Sequence, residues 1–295
     1  MSNFDIYKYS YIKGNKIIET SKGKFVITPK CNDKMKIFSY LEQRDFPFFL
    51  PMENSSRDSY EVYPYVEDDM ESSDKAVDLI HILSLLHIKT TTYREVVMDS
   101  IKEMYEELSK EIDDLNSYYQ QLQDEIESHI YMAPDEYLLI RNISLLYENL
   151  NLARGYLEEW YQTKKDATQE RVVFLHKQPC LHHFVDKKTP YFTNWDLSEK
   201  GYPVYDFLYF FKNHYQTLEM NSLFQMYQSK FQYTRDEFLL FFCLLLLNSS
   251  ISLSYGHYKN TILVHQHILY SYKVKEFILK QNQKNQETNE NKFHQ

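Results

Sequence analysis

Polar and apolar positions alternate with a period near two over the first seventy residues, then shift to helical spacing through most of the remaining chain. Tyr7–Ile12 and Lys16–Thr20 read as short strands joined by the turn Lys13-Gly14-Asn15. A second turn over Ser21–Lys24 leads into a third strand, Phe25–Thr28. Asn32 is placed to cap a helix over Asp33–Gln43, with Met35, Phe38 and Leu41 on one face. Phe46–Met52 and Tyr60–Val66 give two further predicted strands, separated by the loop Glu53–Ser59. The polar run Glu67–Ser73 then marks the end of a β-rich lobe spanning residues 1–70.

Asp74–His87 places Val77, Ile80, Leu83 and Leu86 near helical spacing. Beyond it, Ile101, Tyr105, Leu108, Ile112, Leu115, Tyr119, Leu122 and Ile126 step alternately by four and three, the heptad pattern of a long helix packed along a seam. Pro134 suits the first turn of a partner helix over Asp135–Trp160, so residues 94–160 are predicted as an antiparallel hairpin. Its seam is closed either within the chain or by a second copy through residues 101–130. Short β-like pieces follow at Val172–Leu175, His183–Val185 and Tyr191–Thr193, and helical signals resume from Val204 to about Leu279. The composition of Gln281–Gln295 predicts a disordered tail after a helical lobe spanning 71–280.

Composition narrows the function classes. Aromatic residues make up 16% of the 295, far above what a disordered chain carries, and five glycines disfavour a glycine-rich phosphate loop. A formal charge of −9 without a basic block argues against nucleic-acid binding. Cys31, Cys180 and Cys243 are odd in number and far apart, which fits a reducing compartment and a cytoplasmic location. The N-terminal residues lack the apolar core of a signal peptide, and the apolar run Phe238–Leu247 is half of what a membrane span needs. His176, His182 and His183 with Cys180 lack the paired spacing of a zinc site, and the three histidines read as satisfied core or surface residues.

One ordered set of segments carries a family likeness. His176-Lys177-Gln178-Pro179-Cys180-Leu181-His182-His183-Phe184-Val185 resembles the catalytic loop of the aminoglycoside phosphotransferase and choline kinase superfamily, in which His-x-Asp is followed by Asn and a hydrophobic pair. Tyr191–Asp196 is similar to that family's metal-binding strand, and Gly201-Tyr202-Pro203-Val204-Tyr205-Asp206-Phe207 to its Gly-x-Pro-x-Tyr-Asp-Leu element, whose Asp anchors the loop. Phe25–Lys30 resembles the strand bearing the nucleotide lysine, with Thr28 at the lysine position and Lys30 two residues on; Glu61–Glu67 resembles the hinge. The helical insertion is most like the spore-coat (CotS/YutH-type) kinase-like branch.

The resemblance implies an α+β, two-lobed protein-kinase-like fold with a small β-rich N-lobe, a large helical C-lobe and the hairpin as an insertion. It also implies ATP and Mg²⁺ as cofactors, a nucleotide or small metabolite in a cleft near Thr28, Lys30, Tyr63, Tyr65 and Val66, and Asp206 as the structural anchor of residues 172–207. The same comparison exposes the departures. Gln178 stands for the catalytic Asp, His183 for the loop Asn and Asn194 for the metal Asp. Neutral side chains are poor replacements where phosphoryl transfer depends on positioning and on Mg²⁺ held by carboxylates. The chain therefore reads as a pseudokinase with a binding or scaffolding role and no confidently assigned cofactor or metal. The rival readings are a phosphotransferase that recruits Asp196 to the metal, and an assembly protein acting through the hairpin.

Overall fold

A computed structural model describes residues 6–12, 15–30, 34–53, 60–66, 71–185 and 189–293. The turn at 13–14, the Asn32 cap, most of the 53–59 loop and the 67–70 connector lie outside the described residues. The chain forms two compact units: Met1–Thr92 with Val173–Phe210 and Met226–Phe231, and Tyr93–Val172 with Phe211–Gln225 and Gln232–Gln295.

In the first unit, β1 (Ile6–Ile12), β2 (Asn15–Thr20), β3 (Gly23–Pro29) and β4 (Tyr60–Pro64) form an antiparallel sheet in sequence order. Gly23 adopts φ 126°, a conformation side chains resist, and so turns β2 into β3. Period-two alternation sorts the two faces. Phe25, Ile27, Tyr60 and Val62 pack on Ile18 on one face. The register Val26↔Tyr63 and Thr28↔Glu61 puts those four side chains on the other.

The segment Phe46–Met52, predicted as a fifth strand, is irregular and holds only a single parallel bridge, Phe49 to Phe192. Pro47 and Pro51 lack the N–H a ladder needs, while Phe46, Phe49 and Leu50 still reach the core. α1 (Lys34–Glu42) buries Phe38 and Leu41, with the Phe38 ring stacked 4.4 Å from Phe49. α2 (Ser72–Thr90) is apolar around most of its circumference and ends with Thr90 donating back to the Leu86 carbonyl.

The second unit opens with β5 (Thr92–Glu95), then α3 (Met98–Glu127) and α4 (Pro134–Lys165). Glu136 closes the start of α4 by accepting from the Ala133 N–H at 2.8 Å. Three contacts show that α3 and α4 run antiparallel: Tyr105 stacks on Tyr161, Arg154 bonds Asp113, and Tyr147 bonds Gln123. Of the heptad positions, Ile101, Ile112, Leu115, Tyr119 and Ile126 are buried. The hairpin packs within the chain, α4 against α7 (Arg235–Leu246) and α8 (His257–Phe293), while the Tyr118 hydroxyl of α3 donates to the Ile251 carbonyl in the loop between those two helices.

Between α4 and α8 the chain passes through β6 (Gln169–Leu175), a 3₁₀ turn (Leu181–His183), β7 (Phe184–Val185), β8 (Tyr191–Phe192), β9 (Glu199–Gly201), α5 (Val204–His214) and α6 (Met220–Lys230). The run Phe238–Leu247 is α7 and its cap, and every side chain from Leu239 to Leu246 is buried. Among the described residues no helix is long and apolar enough to cross a membrane. α8 remains helical through Phe293, past Leu279 and through a stretch whose composition predicts disorder. Gln, Lys and Glu are good helix formers, so a helix already nucleated by buried Val274, Phe277 and Ile278 propagates through them.

Candidate functional site

Within the first unit, one face of the sheet, the start of α1 and residues 182–185 and 192–196 enclose a cleft of about 480 Å³. Thr28, Tyr63, Tyr65 and Val66 line it, as do His183, Asn194 and Asp196. Lys30 does not: it is exposed, one residue past the end of β3. The cation inside is Lys34, in the first turn of α1, which no sequence argument singled out. Its Nζ lies 2.7 Å from Glu61 Oε2 and 2.8 Å from Asp196 Oδ1. Burial works against the Lys34 charge, but the two carboxylates more than offset it and hold the ammonium above its ordinary pKa. The Tyr63 hydroxyl also donates to Glu61 Oε2 at 3.0 Å, and burial beside that carboxylate pushes the phenol up. A signal for Lys34 does exist in the sequence. Glu61 is an acid on an otherwise apolar strand, and a carboxylate turned inward requires a cation.

The 176–183 loop is held by Asp206, which is fully buried at the first turn of α5. Its Oδ2 accepts from the His176 N–H at 2.9 Å and its Oδ1 from the Lys177 N–H at 2.7 Å. The loop needs this tether, because Lys177 sits at φ 71°, a left-handed conformation unfavourable for a side chain. A second ligand of Oδ2 is His87 Nε2 at 3.1 Å, and His87 Nδ1 is 2.5 Å from the Tyr227 hydroxyl. Residues far apart in sequence thus meet on one carboxylate.

His176 is wholly buried, its Nε2 donating to the Thr193 carbonyl at 2.7 Å and its ring packed on Phe192 and Trp195. Burial depresses its pKa to about 4, so it is neutral at physiological pH. β8 ends at Phe192, so Thr193, Asn194 and Asp196 lie beyond the strand rather than alternating along it. Asn194 takes φ 60°, which an Asn tolerates better than most side chains.

Gln178, His183 and Asn194 come together as one hydrogen-bonded group. Asn194 Nδ2 donates to Gln178 Oε1 at 2.7 Å and lies 3.3 Å from His183 Nε2. His183 Nδ1 donates to the Gln178 carbonyl at 2.9 Å, which leaves Nε2 as the acceptor for Asn194. A hydrogen bond with the Cys180 side chain holds the His183 pKa above its ordinary value, against the opposing effect of burial. Neither amide carries a charge, and Gln178, His183 and Asn194 are bonded to one another rather than open to the cleft.

The donor set does not fit magnesium. Gln178 and Asn194 spend an amide oxygen and an amide N–H on each other, and the nearby carboxylate of Asp196 is engaged by Lys34. Among the described residues no group of three or more His, Cys, Asp or Glu side chains is placed to hold a metal ion.

The architecture is that of the aminoglycoside phosphotransferase and kinase-like fold: a small antiparallel β lobe followed by a predominantly helical one. The chain matches the crystal structure of an aminoglycoside phosphotransferase from Alicyclobacillus acidocaldarius with a TM-score of 0.66 at 9% identity, over 96% of this chain and 93% of that one. It matches the spectinomycin phosphotransferase APH(9)-Ia in its AMP-bound form with a TM-score of 0.55 at 10% identity, over 94% and 90%. In the complex of the same enzyme with ADP and spectinomycin the TM-score is 0.52, at 10% identity, over 92% and 94%. No protein-family model and no curated protein matches the sequence. At these identities the likeness establishes the fold alone.

Proposed function

We propose that this protein is a pseudokinase: a kinase-fold protein that binds a small molecule in its cleft, or scaffolds a partner, without transferring phosphate. The observation that carries the reading is the closed group of Gln178, His183 and Asn194. Phosphoryl transfer needs anionic oxygens to hold Mg²⁺ and a base or orienting carboxylate at the acceptor, and this group offers neither. Gln178 has no titratable proton near neutral pH. Asp196, the one carboxylate among the described residues lining the cleft, is already committed to Lys34.

The test is a direct one. Purified protein incubated with ATP, Mg²⁺ and a panel of hydroxyl acceptors is expected to turn over no ATP above the buffer blank. Mg²⁺ is expected to leave the melting temperature unchanged, with or without ATP. Mg²⁺-dependent turnover that disappears in Asp196→Asn would instead assign an active phosphotransferase with a displaced metal ligand.

A further inference from the structure

The cleft of the first unit carries its own counter-charges. Lys34 is the one lysine or arginine among the described residues lining it, and its side chain is only 4% exposed. Both Glu61 and Asp196 sit within 2.8 Å of its Nζ, so one positive charge faces two negative ones. Tyr63 fixes this arrangement, donating to Glu61 while its ring centroid stands 5.6 Å from the ammonium. A phosphate brought to Lys34 must displace a carboxylate or lie against two of them, and like charges brought together away from bulk water are strongly unfavourable. The ammonium itself is stabilised in place by its present partners.

The remaining walls are mostly apolar, with Val26, Phe38, Leu50, Val185 and Phe192 among them. Into them Thr28 presents a buried hydroxyl with no hydrogen-bond partner among the described residues. A buried hydroxyl left unmatched costs free energy, which a ligand with one hydrogen-bonding group would recover. The volume suits a small molecule of ordinary metabolite size.

We propose that this cleft takes an uncharged small molecule without phosphate, apolar over most of its surface and with a hydrogen-bonding group for Thr28. Asp196 sets that selectivity by occupying Lys34. The inference rests on the binding reading above and names the class of ligand. Asp196 acts here as a built-in rival to phosphate, and its removal should open the site to anions.

Two measurements decide it, both at pH 8 without metal. Tripolyphosphate binding is followed by thermal shift for the wild type and Asp196→Asn, a nearly isosteric change at a partly exposed position whose fold is checked by circular dichroism. The variant is expected to bind at least about tenfold more tightly than the wild type. Equal behaviour of the two proteins, whether both bind or neither does, overturns the role of Asp196. The wild type is then screened by ligand-observed NMR against fragments matched in pairs, each neutral compound with its phosphate ester. Neutral members are expected to bind and their esters not. Esters binding as often as their partners, or no binding by either, overturns the ligand class. Phosphoryl transfer is assayed separately, so turnover would count against the pseudokinase reading without touching this result.

Discussion

Asp206→Ala is expected to lower the stability of the folded protein by about 3–5 kcal/mol, read from urea unfolding followed by tryptophan fluorescence. The carboxylate is 0% exposed and accepts from two backbone N–H groups and one imidazole. Alanine leaves the His176 and Lys177 amides and His87 Nε2 without their acceptor in a place water does not reach. It also releases Lys177 from the tether that offsets its left-handed backbone. The melting temperature should fall by on the order of 10 °C. Asp206→Asn is a sharper probe, since its amide keeps the volume but puts an N–H donor where a carboxylate oxygen accepted from one of those groups. It should lose nearly as much as alanine. Full stability in the Asn variant would show that acceptor chemistry is not what Asp206 provides.

The second large effect is a dependence on pH with a defined sign. His176 is buried and neutral, its pKa depressed from 6.5 to about 4. Between those values the unfolded chain binds a proton that the folded chain does not. The contribution of His176 is therefore fully present above pH 6.5 and is lost as pH falls toward 4, about 3 kcal/mol over the window. His176→Gln isolates it, because glutamine retains a donor for the Thr193 carbonyl and does not titrate. The wild type should be the more stable protein at pH 7.5, and its advantage should shrink or invert by pH 4.5. A gap that stays constant across this range would rule out His176 as the titrating group. His267, also depressed to about 4 by burial, is common to both proteins and cancels in the comparison.

Much of the architecture was legible because it rests on strict periodicities. The β hairpins follow from alternation, and the α3–α4 hairpin follows from a heptad whose apolar positions meet inside the chain. The 46–52 segment misleads because its aromatic residues have strand character while its prolines deny it a ladder. Gln178, His183 and Asn194 could each be picked out as a departure from a motif. That they bond to one another depends on the φ of Asn194 and on a loop bent by Asp206, neither of which spacing records. Lys34 escaped for a related reason. The expected cation belonged to a strand, whereas the cleft takes its ammonium from the following helix, matched to a glutamate on the neighbouring strand.

The first unit is assembled from three separate stretches of chain, the last of them Met226–Phe231. Tyr227 from that stretch completes the hydrogen bonding of His87, and Phe231 packs against the His87 ring. During synthesis, α2 therefore leaves the ribosome long before the groups that cover its inner face exist. The nascent chain must carry that apolar surface through the whole α3–α4 hairpin, which can fold on local contacts in the meantime. Maturation of the cleft-bearing unit is thus a late, long-range event, and any truncation upstream of Tyr227 releases a product with its central buried relay unfinished.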